Sequence, residues 1–515
     1  MKIIAKLKAN WIPLALFGGS LGYYYALSSK IFTWIYTSGD AGDWLVQTNW
    51  WMVPQCFGKP LYITLIHLAN YIPIASDAYR ITFLLSVIPG AIMISLTYLI
   101  AKHMTKSTKL GLTAALVVLG ANIILSQATV LEQYSITGAF FLATYYFYIT
   151  DRKKLTAVFL GLTTITHIIG AVFAVLLLFI EWKNRKEWLK AIPIYVLVGI
   201  VPYSLILGLM ADPETPKLLA GNLSWGTLNT WGGNTTSTAA LALIEAPFRL
   251  REAFWVCITA LGLAWIPVWK GFARPWDNKM KFLIAAFGFT AWFYVTNLFP
   301  SVWKFMTPTL PLIACVAVLG LKKLPNWHYR AIMIGAVVLI TVNGFMFNTD
   351  KMAHEDPQAT IYLQELEKLP DGACLVTPRG GAYGFSIFYE MSEGRELIPL
   401  ALSNPEFWNT PGEQVATDQS YGDYAEWLYR KYDIKGENIH ELTKDALAKG
   451  HPVYFATPMT EMWASAFVYE ENEQGYLYRI TGIIDNPEWP TSEISPSIFG
   501  ERWRLRQTVI ERGRE

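Results

Sequence analysis

The sequence predicts a multi-pass α-helical membrane protein of about 11 spans with a C-terminal soluble α/β domain. Three observations predict it. The hydrophobic fraction is 53% and the charged fraction 16%, where a soluble globular chain carries roughly 25% charged residues. Mean hydropathy is +0.29. Apolar runs near bilayer length recur through residues 1–350 and then stop. The net charge of +2 hides an asymmetry: residues 351–515 hold 27 of the 40 acids and 15 of the 42 bases, leaving 13 acids and 27 bases in residues 1–350. The division is therefore a basic transmembrane domain, 1–350, and an acidic extracytoplasmic domain, 351–515. Nucleic acid is excluded as a partner, because the bases fall in short loops between apolar spans and form no broad face.

The N-terminus, Met1-Lys2-Ile3-Ile4-Ala5-Lys6-Leu7-Lys8, reads as the cytoplasmic basic start of a retained first helix, with no small-residue cleavage site after it. Apolar spans follow near 11–28, 81–101, 110–126, 134–150, 191–210, 252–270, 281–298, 306–321 and 330–347. The run 155–181 exceeds the roughly 20 residues a span needs. As one helix it would put Lys183, Arg185, Lys186 and Lys190 outside, against the positive-inside tendency. Two short helices turning near His167 remove the conflict. The basic loops 102–109, 151–154, 182–190, 270–281 and 322–330 then all face the cytoplasm, while 29–80, 127–133, 211–250 and 299–305 face outside, as expected in a prokaryotic cell membrane.

In residues 351–515 no long apolar run remains. Ala373–Val376 and Val453–Ala456 read as buried strands, 359–369 and 439–448 as helices, which suggests a small α/β fold. Its Trp408, Trp427, Trp463 and Trp489 are domain core or membrane-facing surface, or else stack on sugar rings. The four cysteines, Cys56, Cys257, Cys315 and Cys374, have no metal-ligand spacing. Cys257 and Cys315 read as small core residues. A Cys56–Cys374 bridge is compatible with this topology, but the sequence alone gives it no support. The sequons at Asn222 and Asn234 carry little weight in a prokaryote.

The external polar residues carry the chemistry. Asp40 and Asp43 lie in the Gly-flanked loop Ser38–Asp43, and carboxylates beside lipid are costly enough to be functional by default. An extracytoplasmic sugar transfer draws on polyprenyl-phosphate sugars. It needs a base for the acceptor hydroxyl, donors or cations for the leaving phosphate, and an apolar groove for the polyprenyl chain. Asp40 is the first candidate for general base, or for orienting the acceptor; Asp43 is the second, or caps the following helix. Arg80 and Lys304 open spans at the external face and are candidate phosphate clamps, or snorkel to headgroups. Glu132 binds sugar or acceptor, or is a solvated loop charge. His167 belongs to the site, or satisfies backbone carbonyls at its turn. Trp225 stacks on the sugar or anchors its loop. No metal is expected, and no cofactor beyond the lipid-linked sugar, which is a substrate.

Gly39-Asp40-Ala41-Gly42-Asp43 resembles the Gly-Asp-Ser-Gly-Glu motif of a domain-of-unknown-function family of GT-C membrane proteins related to protein O-mannosyltransferases. Gln55-Cys56-Phe57-Gly58-Lys59-Pro60-Leu61-Tyr62 is similar to the family's His-Pro-Pro-Gly-Tyr-Pro-Leu-Tyr segment, without its His and its first two prolines. Ala78-Tyr79-Arg80, Glu132-Gln133-Tyr134, Gly161-Leu162 with His167, Trp225-Gly226 and Leu369–Ala373 resemble further family elements, in the same order, over most of residues 30–380. With Gln55 in place of the family's His, either Lys59 helps to bind phosphate or the substrate differs. The resemblance implies an inverting GT-C glycosyltransferase. It would transfer a sugar, mannose among the candidates, from a polyprenyl-phosphate donor to a hydroxyl of protein Ser/Thr, glycan or lipid. A lipid or glycolipid flippase would show internal repeats and mid-span charges, which this sequence lacks. A membrane-anchored assembly protein would work through the acidic domain.

Overall fold

The computed structural model describes residues 11–31, 44, 59–69, 71–72, 81–210, 261–273, 276–296, 304–353, 364–376, 396–400, 428–436, 439–456, 467–471 and 477–483. The chain forms two compact units, 1–38 with 50–354 and 39–49 with 355–515.

The first unit is helical. Helix α1 (Trp11–Ile31) and the short α2 (Pro60–Ala69) precede a π turn, Phe83–Val87, that runs into α3 (Ile88–Thr105). Pro89 explains the π turn, since it has no N–H for the carbonyl four residues back and the ladder widens before it. Lys106, in the left-handed region at φ 57°, ends α3. Ser107 then caps α4 (Thr108–Leu119) by accepting from the Leu110 N–H at 3.3 Å. Helix α5 (Asn122–Thr129) continues α4 after a 64° bend, and α6 (Tyr134–Ile149) returns. The predicted external loop 127–133 is therefore shorter than expected, because 127–129 are helical.

The apolar run 155–181 divides as its flanking charges require. Helix α7 (Lys153–Thr166) stops at His167, whose backbone is extended at φ −156° and ψ 132°, and α8 (Ile169–Ile180) restarts at once. The reversal is tight enough that a Cβ on Gly170 would collide with the backbone of Thr164. A single turn, α9 (Arg185–Trp188), leads to α10 (Ile192–Tyr195), the π turn Val196–Ile200 and α11 (Val201–Met210). The remaining helices are α12 (Trp265–Phe272), α13 (Asn278–Thr296), α14 (Leu310–Leu321) and α15 (Asn326–Ala353).

All twelve residues of α14 are buried, so this helix is the axis of the core. Phe141, Tyr145, Phe173 and Phe282 pack beside it as an aromatic layer, with Phe141 and Phe173 ring centroids 4.1 Å apart. Among the described residues, Phe83–Thr105 and Asn326–Met346 are each long and apolar enough to cross a membrane. The bent pairs Thr108–Leu119 with Asn122–Thr129, and Trp182–Trp188 with Ile192–Ile206, raise the number to four. The expected span 11–28 lies within the 21-residue α1, which is long enough to cross but less apolar, and the remaining expected spans coincide with helices that are shorter or interrupted, or run into residues outside the described set.

The second unit contains a five-stranded sheet of β1 (Cys374–Val376), β2 (Ile398–Leu400), β3 (Val453–Ala456), β4 (Phe467–Glu471) and β5 (Leu477–Ile483), in the order β2-β1-β3-β5-β4. Strands β2, β1 and β3 are parallel; β5 is antiparallel to both its neighbours. Helix α16 (Ile439–Ala448) connects the parallel strands β2 and β3, as such a crossover requires. Cys374 is a buried free thiol in β1, pushed up to about 12 by its burial, and does not take part in a bridge. Cys315 is likewise buried and free, as expected of a core residue, and Cys56 and Cys257 lie outside the described residues.

Candidate active site

Five separate parts of the first unit bring polar side chains to one place among helix ends. Lys59 stands directly before Pro60, and its carbonyl accepts the first bond of α2, from Ile63 N–H at 3.2 Å. Pro60 favours a helix start there, because proline suits the first helical position. Glu132 and Gln133 occupy the turn between α5 and α6. Gln133 is the N-cap of α6, and its carbonyl accepts from the Thr137 N–H at 3.0 Å. Ser86, on the π turn before α3, holds this turn: its hydroxyl donates to the Glu132 carbonyl at 3.3 Å and accepts from the Glu132 N–H at 3.4 Å. Lys304 opens a short turn before α14, and His167 sits at the α7–α8 reversal.

The side chains interlock. Lys304 Nζ donates to Glu132 Oε1 at 2.8 Å. The neighbours of Gln133 orient its amide: the nitrogen donates to Glu132 Oε2 at 2.7 Å, and the oxygen accepts from Lys59 Nζ at 3.0 Å and from the Tyr134 hydroxyl at 3.3 Å. Glu132 and Gln133 are 0% exposed, Lys59 7% and Lys304 9%. Glu132 is thus no solvated loop charge. Its desolvation, costly by several kcal/mol for a lone carboxylate, is offset by the ammonium and amide donors that hold both its oxygens.

An aromatic wall closes one side. The rings of Tyr134, His167 and Phe305 are mutually in contact, with centroids 5.6, 5.1 and 5.4 Å apart, and Lys304 Nζ lies 5.3 Å from the Tyr134 centroid. His167 satisfies no carbonyl with its Nδ1; that atom instead accepts the Ile169 N–H at 3.1 Å, so the proton of the neutral ring is on Nε2. Lys59 and Lys304 both lie close enough to act on His167 electrostatically.

Of the residues expected from the sequence, Lys59, Glu132, His167 and Lys304 come together here. Asp40, Asp43, Arg80 and Trp225 lie outside the described residues. Sequence reasoning gave no role to Gln133, Tyr134, Phe305 or Ser86. The first two stand beside Glu132 in a polar step between two apolar runs, which was the available signal. Among the described residues no three His, Cys, Asp or Glu side chains are grouped to hold a metal ion. One ammonium group paired with the carboxylate and a second held through the Gln133 amide leave an excess of positive charge, which suits an anion.

No family model matches the chain, and no curated protein matches it. Solved structures do. ArnT from Cupriavidus metallidurans in the apo state is similar with a TM-score of 0.61 at 11% identity, over 92% of this chain and 98% of that one. The same protein bound to undecaprenyl phosphate gives a TM-score of 0.64 at 11% identity, over 91% and 97%. At that identity the likeness gives the fold, and it spans both units. The chain is an integral membrane protein whose helical domain and C-terminal α/β domain share the fold of ArnT.

Proposed function

We propose that this protein is a glycosyltransferase that takes a sugar from a polyprenyl-phosphate-linked donor and transfers it to an acceptor hydroxyl on the extracytoplasmic face. The observation that carries this reading is the buried network of Lys59, Gln133, Glu132 and Lys304, within a fold whose solved counterpart has been captured with undecaprenyl phosphate. Lys59 and Lys304 take the phosphate. As point charges they stabilise the negative charge that grows on it as the glycosidic bond breaks. Asp40, with Asp43 as the alternative, removes the proton of the acceptor hydroxyl as that oxygen attacks the anomeric carbon. Arg80 and Trp225 complete the phosphate and sugar contacts. The sequence resemblance favours an inverting reaction and kinship with protein O-mannosyltransferases, with mannose as the first donor to try and protein Ser/Thr, glycan or lipid as acceptor.

The test is sugar transfer by the purified full chain in detergent, from a panel of radiolabelled polyprenyl-phosphate sugars to a membrane extract. Wild type runs beside Asp40→Asn, Asp43→Asn and Lys59→Met. Loss of transfer in Lys59→Met and in one aspartate variant, with folding intact, supports the assignment. Absence of both transfer and polyprenyl-phosphate binding in wild type would reject it in favour of a transporter or assembly protein.

A further inference from the structure

We propose that Gln133 is the positioning residue of this site: its amide ties Lys59 to the Glu132–Lys304 pair and so sets the spacing of the two ammonium groups for the lipid phosphate. The proposal rests on the donor assigned above. Lys59 and Lys304 are far apart in sequence and stand before different helices. In the described network they are joined through two neighbouring side chains, with Gln133 accepting from Lys59 at 3.0 Å and donating to Glu132 at 2.7 Å, and Glu132 accepting from Lys304 at 2.8 Å.

An amide suits this place because it accepts and donates at once. A carboxylate there would accept from Lys59 but repel Glu132. An ammonium would satisfy Glu132 but repel Lys59. An apolar side chain would take one hydrogen bond from each. The amide also cannot drift, because Gln133 is 0% exposed and its backbone is fixed as the N-cap of α6, its carbonyl accepting from the Thr137 N–H and, at 2.8 Å, from the Thr137 hydroxyl. The Tyr134 hydroxyl, at 3.3 Å from the same amide oxygen, links the bridge to the aromatic wall. Oxyanion stabilisation depends on donors held in place before charge develops, and a group that fixes two cations supplies that preorganisation.

The experiment is a double-mutant cycle on the dissociation constant for undecaprenyl phosphate, measured on the full chain in detergent for wild type, Lys59→Met, Gln133→Met and the double variant. Thermal midpoints confirm folding. Lys59→Met and Gln133→Met are each expected to weaken binding about tenfold, with the double variant also about tenfold weaker, because each single change already removes the same placed ammonium. In transfer assays the KM for the lipid-linked donor rises and that for the acceptor does not. Single losses that multiply in the double variant, or a Gln133→Met protein that binds like wild type, overturn the proposal. Should Gln133→Met fail to fold, the neutral Gln133→Asn, one methylene too short to reach both partners, decides: about tenfold weaker binding supports the bridge, and unchanged binding overturns it. A wild type that binds no undecaprenyl phosphate overturns the donor assignment and this proposal together, whereas a wild type that binds beside an unaffected Gln133→Met overturns this proposal alone.

Discussion

Glu132 and Lys304 form an ion pair that has left water almost completely, with the carboxylate side chain 0% and the lysine side chain 11% exposed. Removing one partner of such a pair leaves the other charge buried, at a cost of about 3–5 kcal/mol, whereas removing both is far milder. Lys304→Met is therefore expected to lower the thermal unfolding midpoint in detergent sharply, and Glu132→Leu/Lys304→Met to recover most of the loss while remaining unable to transfer sugar. A double variant as unstable as Lys304→Met would show that the pair is not the source of the effect. A second carboxylate gives a pH prediction in the C-terminal unit. Hydrogen bonds from Lys431 and then Tyr432 hold Glu396 below the usual carboxylate range. A depressed pKa contributes stability above the unfolded value, near 4.5, and that contribution is lost as pH falls through the lower folded value. Protease resistance of residues 351–515 in the full chain should accordingly fall below about pH 4.5 in wild type, and fall less steeply in Glu396→Gln.

At the scale of elements, close helix approach decides where the side chains of the site end up. A Cβ on Gly320 would strike the Pro267 carbonyl, so α14 meets α12 at backbone contact. Gly320→Val forces the two apart, and overpacking of this kind costs about 1–3 kcal/mol. Because α14 follows Lys304, the variant should lose polyprenyl-phosphate binding along with stability; unchanged binding would detach the helix crossing from the site. Some of this architecture is legible in the sequence. The break at His167 follows from the charges beyond residue 181, and strand β3 and helix α16 follow from local pattern. The bend between α4 and α5 does not, because it depends on a distant helix: Asn343 of α15 donates to the Gly120 carbonyl at 2.6 Å. The same distinction runs through the site. Lys59, Glu132, His167 and Lys304 are conspicuous as polar residues beside apolar spans. Gln133 is not, since an amide becomes a bridge only when tertiary folding brings Lys59 to it.

The helical unit as a whole is polarised along its helices. At one end of α3, α6, α7, α8 and α14 stand Ser86, Gln133, His167 and Lys304. At the other end the bases gather: Lys322 Nζ donates to the Thr105 carbonyl at 3.2 Å, Lys279 Nζ to the Ile149 carbonyl at 3.0 Å, and Lys109 Nζ lies 3.7 Å from the Tyr329 ring centroid. Loops rich in Lys and Arg stay cytoplasmic, so the site end should face outward, where polyprenyl-phosphate sugars are the available donors. Single cysteines introduced at Lys154 and Lys323, both exposed at the basic end, test this directly. In intact cells a membrane-impermeant maleimide should leave both unlabelled, and permeabilisation should expose both. A cysteine at Glu470, exposed in the C-terminal unit, should label without permeabilisation. The opposite pattern would turn the lysine network toward the cytoplasm, where nucleotide sugars compete as donors, and the polyprenyl-phosphate assignment would lose the topological reason for it.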